Sequence, residues 1–176
     1  RPALRMVQEA LRLGQLCRDQ ILIDATSGNT GVAYSLIGAA LGLRVMLVMP
    51  ANVTQARKDI TRAFGTELIL TSPLEGSDGA IVKARELVRA QPDRYFYPDQ
   101  YSNPNNPLAH YHGTGPEILE AVGDRITHFV AGLGTSGTVI GTTRRLHEHT
   151  RPIRCIAVEP QEPLHGLEGL KHMATS

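Results

Sequence analysis

Tryptophan is missing from the 176-residue sequence, and aromatic residues make up only 5% of it. Cysteine occurs twice, at Cys17 and Cys155, and the two lie far apart and outside any CxxC spacing. Such sparse cysteine excludes a disulfide-rich fold and favours a reducing compartment. We therefore expect a cytoplasmic protein in which both thiols are small buried apolar groups.

Long apolar runs and an excess of one charge are missing too. No stretch approaches the roughly 20 residues that a membrane helix needs, and no signal peptide pattern is found. The net charge is +1 with both signs interspersed, so the sequence has no basic stripe for nucleic acid. We expect neither a membrane nor a nucleic acid as a partner.

Glycine, in contrast, is abundant at 17 residues, and short apolar runs alternate with helical patterns along the chain. Strands are expected over 21–24, 44–50, 67–70, 94–97, 127–134 and 153–160. Helices are expected over 3–16, 30–41, 54–64, 78–90, 108–121 and 136–147. This strict alternation predicts an α/β fold, doubly wound, with mainly parallel sheets and helices on both faces. The polar segment 98–107 is the best candidate for a boundary between two lobes.

The first candidate ligand-binding loop lies between a predicted strand and a predicted helix and reads Thr26-Ser27-Gly28-Asn29-Thr30. Ligands of such sheets bind at the carboxyl ends of strands, where helix N-termini offer unsatisfied N–H donors to anions. The same residues are also good helix caps, so the loop by itself leaves both interpretations open.

The second loop, residues 132–138, reads Gly-Leu-Gly-Thr-Ser-Gly-Thr and follows the apolar strand residues 128–131. Its glycines allow close approach of the backbone to a ligand, and its hydroxyls add donors, which favours a phosphate site. Gly132, Gly134 and Gly137 also spell GxGxxG, with Glu159 downstream, so a nicotinamide dinucleotide stays an alternative. The loop at 26–30 is a further candidate anion site upstream of this one. One site for a phosphate and one for a carboxylate favour instead a phosphorylated cofactor that acts on an amino acid.

Other polar residues carry less information. His110, His112, His147 and His149 lack the carboxylate or cysteine that would complete a ligand set, so no metal site is expected. Lys58 and Lys83 lie on predicted helices among other charges, and we expect both to be solvated.

The sequence resembles the cysteine synthase family. The resemblance rests on "TSGNTG" at 26–31, "PxNxxxxR" at 50–57, "GPEI" at 115–118 and "GLGTSGT" at 132–138, in order along the whole chain. It implies a two-lobed fold type II enzyme that uses pyridoxal 5'-phosphate. Residues 1–103 would be the small mobile lobe with the loop for the substrate carboxylate, and residues 104–176 would be part of the large cofactor-binding lobe. The start, "RPALRM", resembles the segment after the family's cofactor-binding lysine, which implies that this lysine lies just before Arg1. The resemblance also implies a further C-terminal portion after Ser176.

The resemblance also implies roles for individual residues. Substrate contacts, mainly with the α-carboxylate, are implied for Thr26, Ser27, Gly28, Thr30 and Gln100. Gly169 would lie in a loop over the substrate amine, and Lys171 would face the substrate side chain. Cofactor contacts are implied for Asn29, which would bond the phenolic oxygen, and for the phosphate-binding residues Gly134, Thr135, Ser136, Gly137 and Thr138.

The implied activity is β-replacement on an activated serine, O-acetylserine or O-phosphoserine, by sulfide or a sulfur-carrier protein to give cysteine. Relatives are commonly homodimers. A serine or threonine dehydratase, a cystathionine β-synthase, a non-catalytic truncated relative and the dinucleotide protein stay open as alternatives. The 176 residues alone are expected to be inactive.

Overall fold

The computed structural model describes residues 1–26, 28–162, 165–167 and 169–175. The chain divides into two compact units. The first unit is Met6–Asp99, and the second unit is Gln100–Ser176 together with Arg1–Arg5. The sequence led us to place a boundary after Asn103.

The first unit contains four strands and their connecting helices. Its elements in chain order are α1 (Pro2–Arg12, from Met6 onward), β1 (Ile21–Ala25), α2 (Asn29–Leu41), β2 (Arg44–Pro50), α3 (Gln55–Ala63), β3 (Glu67–Thr71), α4 (Gly76–Ala90) and β4 (Tyr95–Phe96). The strands form one parallel sheet in the order β3-β2-β1-β4.

Helices cover both faces of this sheet. On one face Ile23 and Val48 pack in a buried cluster with Ala80 and Ala84 of α4. On the other face α2 approaches β2 so closely that a Cβ at Gly38 would lie 2.3 Å from Val45 Cγ2. Successive side chains of a strand point to opposite faces, so strands covered on both faces are apolar throughout. β1 is accordingly buried at all five positions.

The second unit contains three successive helical segments, then two strands and a helix. Its elements are α5 (Asn105–Ala109), a π-helical segment (His110–Thr114), α6 (Gly115–Val122), β5 (His128–Gly132), α7 (Gly137–Leu146) and β6 (Arg154–Val158). β5 and β6 pair in parallel, with His128 opposite Arg154.

The predicted alternation of parallel strands and helices is confirmed, but the helix expected over 108–121 is wrong in its start and its regularity. The helix begins at Asn105, before Pro107. Proline is tolerated there because an N–H in the first turn of a helix has no intrahelical acceptor, so its loss costs no hydrogen bond. The expected burial of both thiols is also wrong, since Cys17 is exposed and Cys155 is half-buried. None of the described helices is long and apolar enough to cross a membrane.

Candidate functional site

The loop between β5 and α7 in the second unit presents a row of backbone donors. β5 ends at Gly132 and α7 begins at Gly137, with Ser136 as its N-cap in a left-handed conformation, φ 64°. Within the described ranges, the N–H groups of residues 134–138 find no acceptor. Unpaired N–H groups at the positive end of a ten-residue helix attract anions.

Two glycines let this loop pack against other parts of the second unit. A Cβ at Gly134 would lie 2.4 Å from the carbonyl oxygen of Gly169, and a Cβ at Gly137 would lie 2.0 Å from Asn106 Oδ1. Real Cβ atoms do not approach so closely, so any larger residue would displace the loop. The loop is therefore held by segments that are distant in sequence.

Asn106 links this loop to Gln100. Its side-chain Nδ2 donates to Thr135 Oγ1 and to the Gln100 carbonyl oxygen, both at 2.8 Å. Asn106 and Gln100 are both buried. Because a buried amide costs free energy unless it is bonded, these two contacts fix Thr135 and Gln100 near one another.

His110 supports the other end of the loop from the π-helical segment. Its Nδ1 lies 2.9 Å from Thr114 Oγ1, and its Nε2 lies 3.3 Å from Thr138 Oγ1. Burial lowers the pKa of His110 from its ordinary value. Burial therefore favours the neutral ring, in which one nitrogen donates to one threonine while the other accepts from the second.

Lys171 and Gly169 come from the segment that lies over the loop. The backbone N–H of Lys171 donates to the Leu133 carbonyl at 2.8 Å. Lys171 Nζ lies 4.7 Å from the centre of the Tyr101 ring. The cation is thus held over an aromatic face beside the segment that carries Gln100.

The loop between β1 and α2 forms the second set of predicted residues, in the first unit. Gly28 caps α2, and its N–H donates to Thr26 Oγ1 at 3.3 Å. Thr26 in turn donates its N–H to the Val48 carbonyl at 3.1 Å, which anchors the loop to β2. Asn29 is exposed and Thr30 is half-buried at the start of the 13-residue helix α2. Ser27 lies outside the described residues.

Asp24 lies directly behind the first-unit loop, near the end of β1. It is only 1% exposed, and its Oδ1 accepts the N–H of Ala25 at 2.8 Å. The Tyr34 hydroxyl of α2 also interacts with this carboxylate. Burial raises the pKa of Asp24 to about 7, an effect that the Ala25 N–H partly offsets.

The predicted residues therefore fall into two sets. The second unit brings together Gln100, Gly134, Thr135, Ser136, Gly137, Thr138, Gly169 and Lys171, and the first unit brings together Thr26, Gly28, Asn29 and Thr30. The sequence did not reveal Asn106, His110 or Asp24 as parts of these sites. Only for His110 was there a weak indication in the sequence. It precedes Thr114 by about one helical turn, a spacing that places the two side chains on the same side of a helix.

The donor set of the second unit fits a phosphate group rather than a metal ion. Among the described residues, no group of three or more His, Cys, Asp or Glu could hold a metal. The backbone donors at 134–138, with the hydroxyls of Thr135 and Thr138, offer hydrogen bonds without any carboxylate. Phosphate oxygens accept such bonds.

The chain belongs to the pyridoxal-phosphate dependent enzyme family, whose model matches residues 1–173. That family uses a phosphorylated cofactor, which agrees with the donor-rich loop and favours pyridoxal phosphate over the dinucleotide alternative.

Within the family, the chain is similar to cysteine synthases. Cysteine synthase of Aquifex aeolicus is 54% identical over 176 residues, which cover 100% of this chain and 54% of that protein. Cysteine synthase B of Escherichia coli is 43% identical over 162 residues, which cover 92% of this chain and 53% of that protein.

The chain is also similar to solved structures of related enzymes. The cysteine synthase (OASS) from Entamoeba histolytica has a TM-score of 0.90 at 37% identity, with 97% of this chain and 53% of that chain covered. The O-acetylserine dependent cystathionine beta-synthase from Helicobacter pylori has a TM-score of 0.89 at 36% identity, with 97% of this chain and 58% of that chain covered. The chain spans about half the length of the curated relatives it matches.

Proposed function

We propose that this chain carries substrate- and cofactor-binding parts of a cysteine synthase, which replaces the β-substituent of an activated serine with sulfide. The observation that carries the proposal is the row of unpaired N–H groups at 134–138, held by close packing at Gly134 and Gly137. The resemblance to cysteine synthases over the whole chain supports it. Bound pyridoxal phosphate would act as the electron sink for chemistry at the α- and β-carbons of the amino acid.

The second unit would hold the cofactor phosphate. Backbone N–H groups of residues 134–138 would donate to its oxygens, and Thr135 and Thr138 would add hydroxyl donors. Asn106 and His110 would keep those hydroxyls in place, because each already bonds one of them. A site whose donors are fixed before binding loses little entropy when the ligand arrives.

The first unit would bind the α-carboxylate of the amino acid. Thr26, Ser27, Gly28 and Thr30 would supply hydroxyl and backbone donors at the N-terminus of α2, where the helix dipole favours a negative charge. Asn29 would bond the phenolic oxygen of the cofactor, and Gln100 would bond the same carboxylate. Gly169 would let its segment approach the substrate amine, and Lys171 would face the leaving group.

The test is the formation of cysteine by the full-length protein from sulfide and either O-acetylserine or O-phosphoserine. Thr138→Val should weaken binding of pyridoxal phosphate about tenfold, because one hydroxyl donor to a charged group is lost. Thr143→Val, the same change at a hydroxyl outside the loop, is the matched control and should bind the cofactor normally. Cofactor binding that is equal in both variants would contradict the assignment of the phosphate site.

The carboxylate assignment needs a separate measurement. Thr30→Val should raise the KM for the amino acid about tenfold while the affinity for pyridoxal phosphate stays unchanged. An unchanged KM would contradict the role of this loop, without affecting the phosphate assignment.

A second candidate function is synthesis of cystathionine from O-acetylserine. It is favoured by the Helicobacter pylori structure, which resembles this chain almost as closely as the cysteine synthase structure does. Competition between sulfide and homocysteine as acceptors separates the two, since a larger yield of cystathionine than of cysteine would favour the second candidate.

We also propose a homodimer, a sulfur-carrier protein as an alternative donor and a reducing compartment such as the cytoplasm. The exposed thiol of Cys17, which forms no disulfide, supports the compartment. Sedimentation equilibrium of the full-length protein tests the dimer, and replacing free sulfide by a thiocarboxylated carrier tests the donor.

A further inference from the structure

The ring of His110 lies between two threonine hydroxyls of the second unit. Its Nδ1 is 2.9 Å from Thr114 Oγ1, and its Nε2 is 3.3 Å from Thr138 Oγ1. Burial lowers the pKa of His110 and so favours the neutral ring, which has one N–H donor and one bare nitrogen that accepts. The ring proton can therefore go to either threonine, and the two arrangements have different consequences for a ligand.

The difference between the two arrangements lies in the hydroxyl of Thr138. If Nδ1 carries the ring proton, the bare Nε2 accepts the hydroxyl proton of Thr138, and only lone pairs remain on Thr138 Oγ1. If Nε2 carries the ring proton, it donates to Thr138 Oγ1, and Thr114 donates its hydroxyl proton to Nδ1. A hydroxyl has a single proton, so only the second arrangement lets Thr138 donate to an anion as well.

The other hydroxyl of the loop, Thr135, is already free to donate. Nδ2 of Asn106 lies 2.8 Å from the Gln100 carbonyl oxygen, which can only accept, so the amide nitrogen and not the amide oxygen must face it. The same Nδ2 lies 2.8 Å from Thr135 Oγ1 and donates to it. The hydroxyl proton of Thr135 is thus left for another acceptor.

Packing against α7 keeps the His110 ring beside the loop. A Cβ at Gly141 would lie 2.9 Å from His110 Cβ and 2.0 Å from the Pro107 carbonyl oxygen, so a larger residue at 141 would push the two helical segments apart. The N–H groups at 134–138 lie at the positive end of α7, where an anion is favoured. Lone pairs of Thr138 turned toward that anion would repel it, so a bound anion selects the ring proton on Nε2.

We propose that His110 is a positioning residue that carries its proton on Nε2 when the cofactor phosphate is bound and donates it to Thr138 Oγ1. Thr114 donates to Nδ1 and thereby holds this tautomer, and Thr138 donates its own hydrogen bond to a phosphate oxygen. Both hydroxyls of the loop then accept a hydrogen bond from the protein and donate one to the ligand. The inference rests on the proposed function, because the phosphate of the cofactor is the anion.

The tautomer is measured by 15N NMR of the full-length protein, labelled on its histidines and saturated with pyridoxal phosphate. The signals of His110 are identified as those missing from the His110→Gln variant. We expect the chemical shift of a protonated nitrogen at Nε2 and of a bare nitrogen at Nδ1. A proton on Nδ1 with a bare Nε2, or a doubly protonated ring, overturns the proposal.

Cofactor affinity tests whether His110 acts through Thr138, and it is measured by titration of the cofactor-free full-length protein. His110→Leu should weaken binding of pyridoxal phosphate about fivefold, because the hydroxyl of Thr138 loses the bond that orients and polarises it. His110→Gln, whose amide nitrogen can still donate to Thr138, should bind within about twofold of the unmodified protein. His112→Leu, at an exposed ring two residues further on, is the matched control and should bind normally.

A double-mutant cycle separates this role from general support of the fold. His110→Leu should cause no further loss when Thr138→Val is already present, whereas additive losses would overturn the proposal. Pyridoxal, which lacks the phosphate, should bind equally to His110→Leu and to the unmodified protein. Equal weakening for pyridoxal and pyridoxal phosphate would mean that His110 supports only the fold, which also overturns the proposal.

These measurements also distinguish failure of this inference from failure of the proposed function. Weak cofactor binding by Thr138→Val together with a proton on Nδ1 of His110 refutes the tautomer alone and leaves the phosphate site intact. Normal cofactor binding by Thr138→Val refutes the phosphate assignment and this inference together.

Discussion

The side chain of Asn106 donates one hydrogen bond to Thr135 Oγ1, across 29 residues of sequence, and a second to the Gln100 carbonyl. One buried amide therefore couples the donor-rich loop of the second unit to the segment that carries Gln100. The loop depends on a residue that need not touch any ligand itself.

Replacement of Asn106 should loosen that loop. Asn106→Ala removes both hydrogen bonds, and we expect the affinity for pyridoxal phosphate to fall about tenfold, which corresponds to about 1.4 kcal/mol. Titration of the full-length protein with the cofactor, followed by absorption, measures the change. Asn105→Ala, the same substitution one position earlier, is the control. Equal affinities for the two variants would show that the Asn106 contacts do not position the loop.

Asp24 should make the stability of the first unit depend on pH. Its pKa is raised to about 7 in the folded protein, against an ordinary value near 4. Between about pH 4 and pH 7 the unfolded chain loses this proton while the folded chain keeps it, so the free energy of unfolding falls as pH rises. The contribution has a limiting slope of about 1.4 kcal/mol per pH unit and levels off above pH 7.

The comparison of Asp24→Asn with the unmodified protein isolates this contribution. The free energy of unfolding, measured with urea at pH 5, 6, 7 and 8, should decline less with rising pH in this variant. Asp59→Asn, at an exposed carboxylate, should leave the decline unchanged. The same decline in Asp24→Asn would rule out Asp24 as its source.

Thr142→Val should stabilise the second unit. Thr142 is fully buried in α7, and its hydroxyl finds no partner in the part of the chain that the structure describes. Valine has nearly the same shape without the polar group, so we expect a gain of about 1 kcal/mol in the free energy of unfolding.

The opposite result is expected for a hydroxyl with partners. Thr61 is buried in α3, and its hydroxyl bonds the Arg57 and Lys58 carbonyls, both at 2.9 Å. Thr61→Val should be neutral or destabilising, and denaturant midpoints measure both variants. Destabilisation by Thr142→Val would indicate a bonding partner for its hydroxyl.

Gly38→Ala should destabilise the first unit by about 1–3 kcal/mol, because the added Cβ would lie 2.3 Å from Val45 Cγ2. Val45 is β-branched and cannot rotate away at low cost. Val45→Ala in the same protein should recover part of that loss, so a double-mutant cycle should give a favourable coupling. Additive effects would mean that the two residues are not in contact.

Loss of the charge at Lys171 should act selectively on an anionic leaving group. Lys171→Gln should lower kcat/KM for O-phosphoserine at least tenfold more than for O-acetylserine, because only the former presents a dianion. Lys83→Gln, at a partly exposed lysine of α4, is the control. An equal effect on both substrates would contradict a role in leaving-group recognition.

The sequence predicted the strands of the first unit well because β1 and β2 are buried between two helical layers and are therefore apolar almost throughout. The positions of the two polar loops followed from the same alternation. Asn106 could not be recognised, because its importance arises from partners such as Thr135 that only folding brings near. The exposure of Cys17 was missed for a similar reason, since burial of a single thiol depends on neighbours that local sequence does not specify.

The order of segments along the chain has a consequence for synthesis on the ribosome. The first unit is a single continuous stretch, Met6–Asp99, so all strands of its sheet can pair without any residue that follows Asp99. The loop at 134–138, in contrast, is packed against Gly169, and the Leu133 carbonyl is held by Lys171. The segments that hold this loop are therefore made after the whole of the first-unit sheet, so the sheet can fold before the loop is fixed.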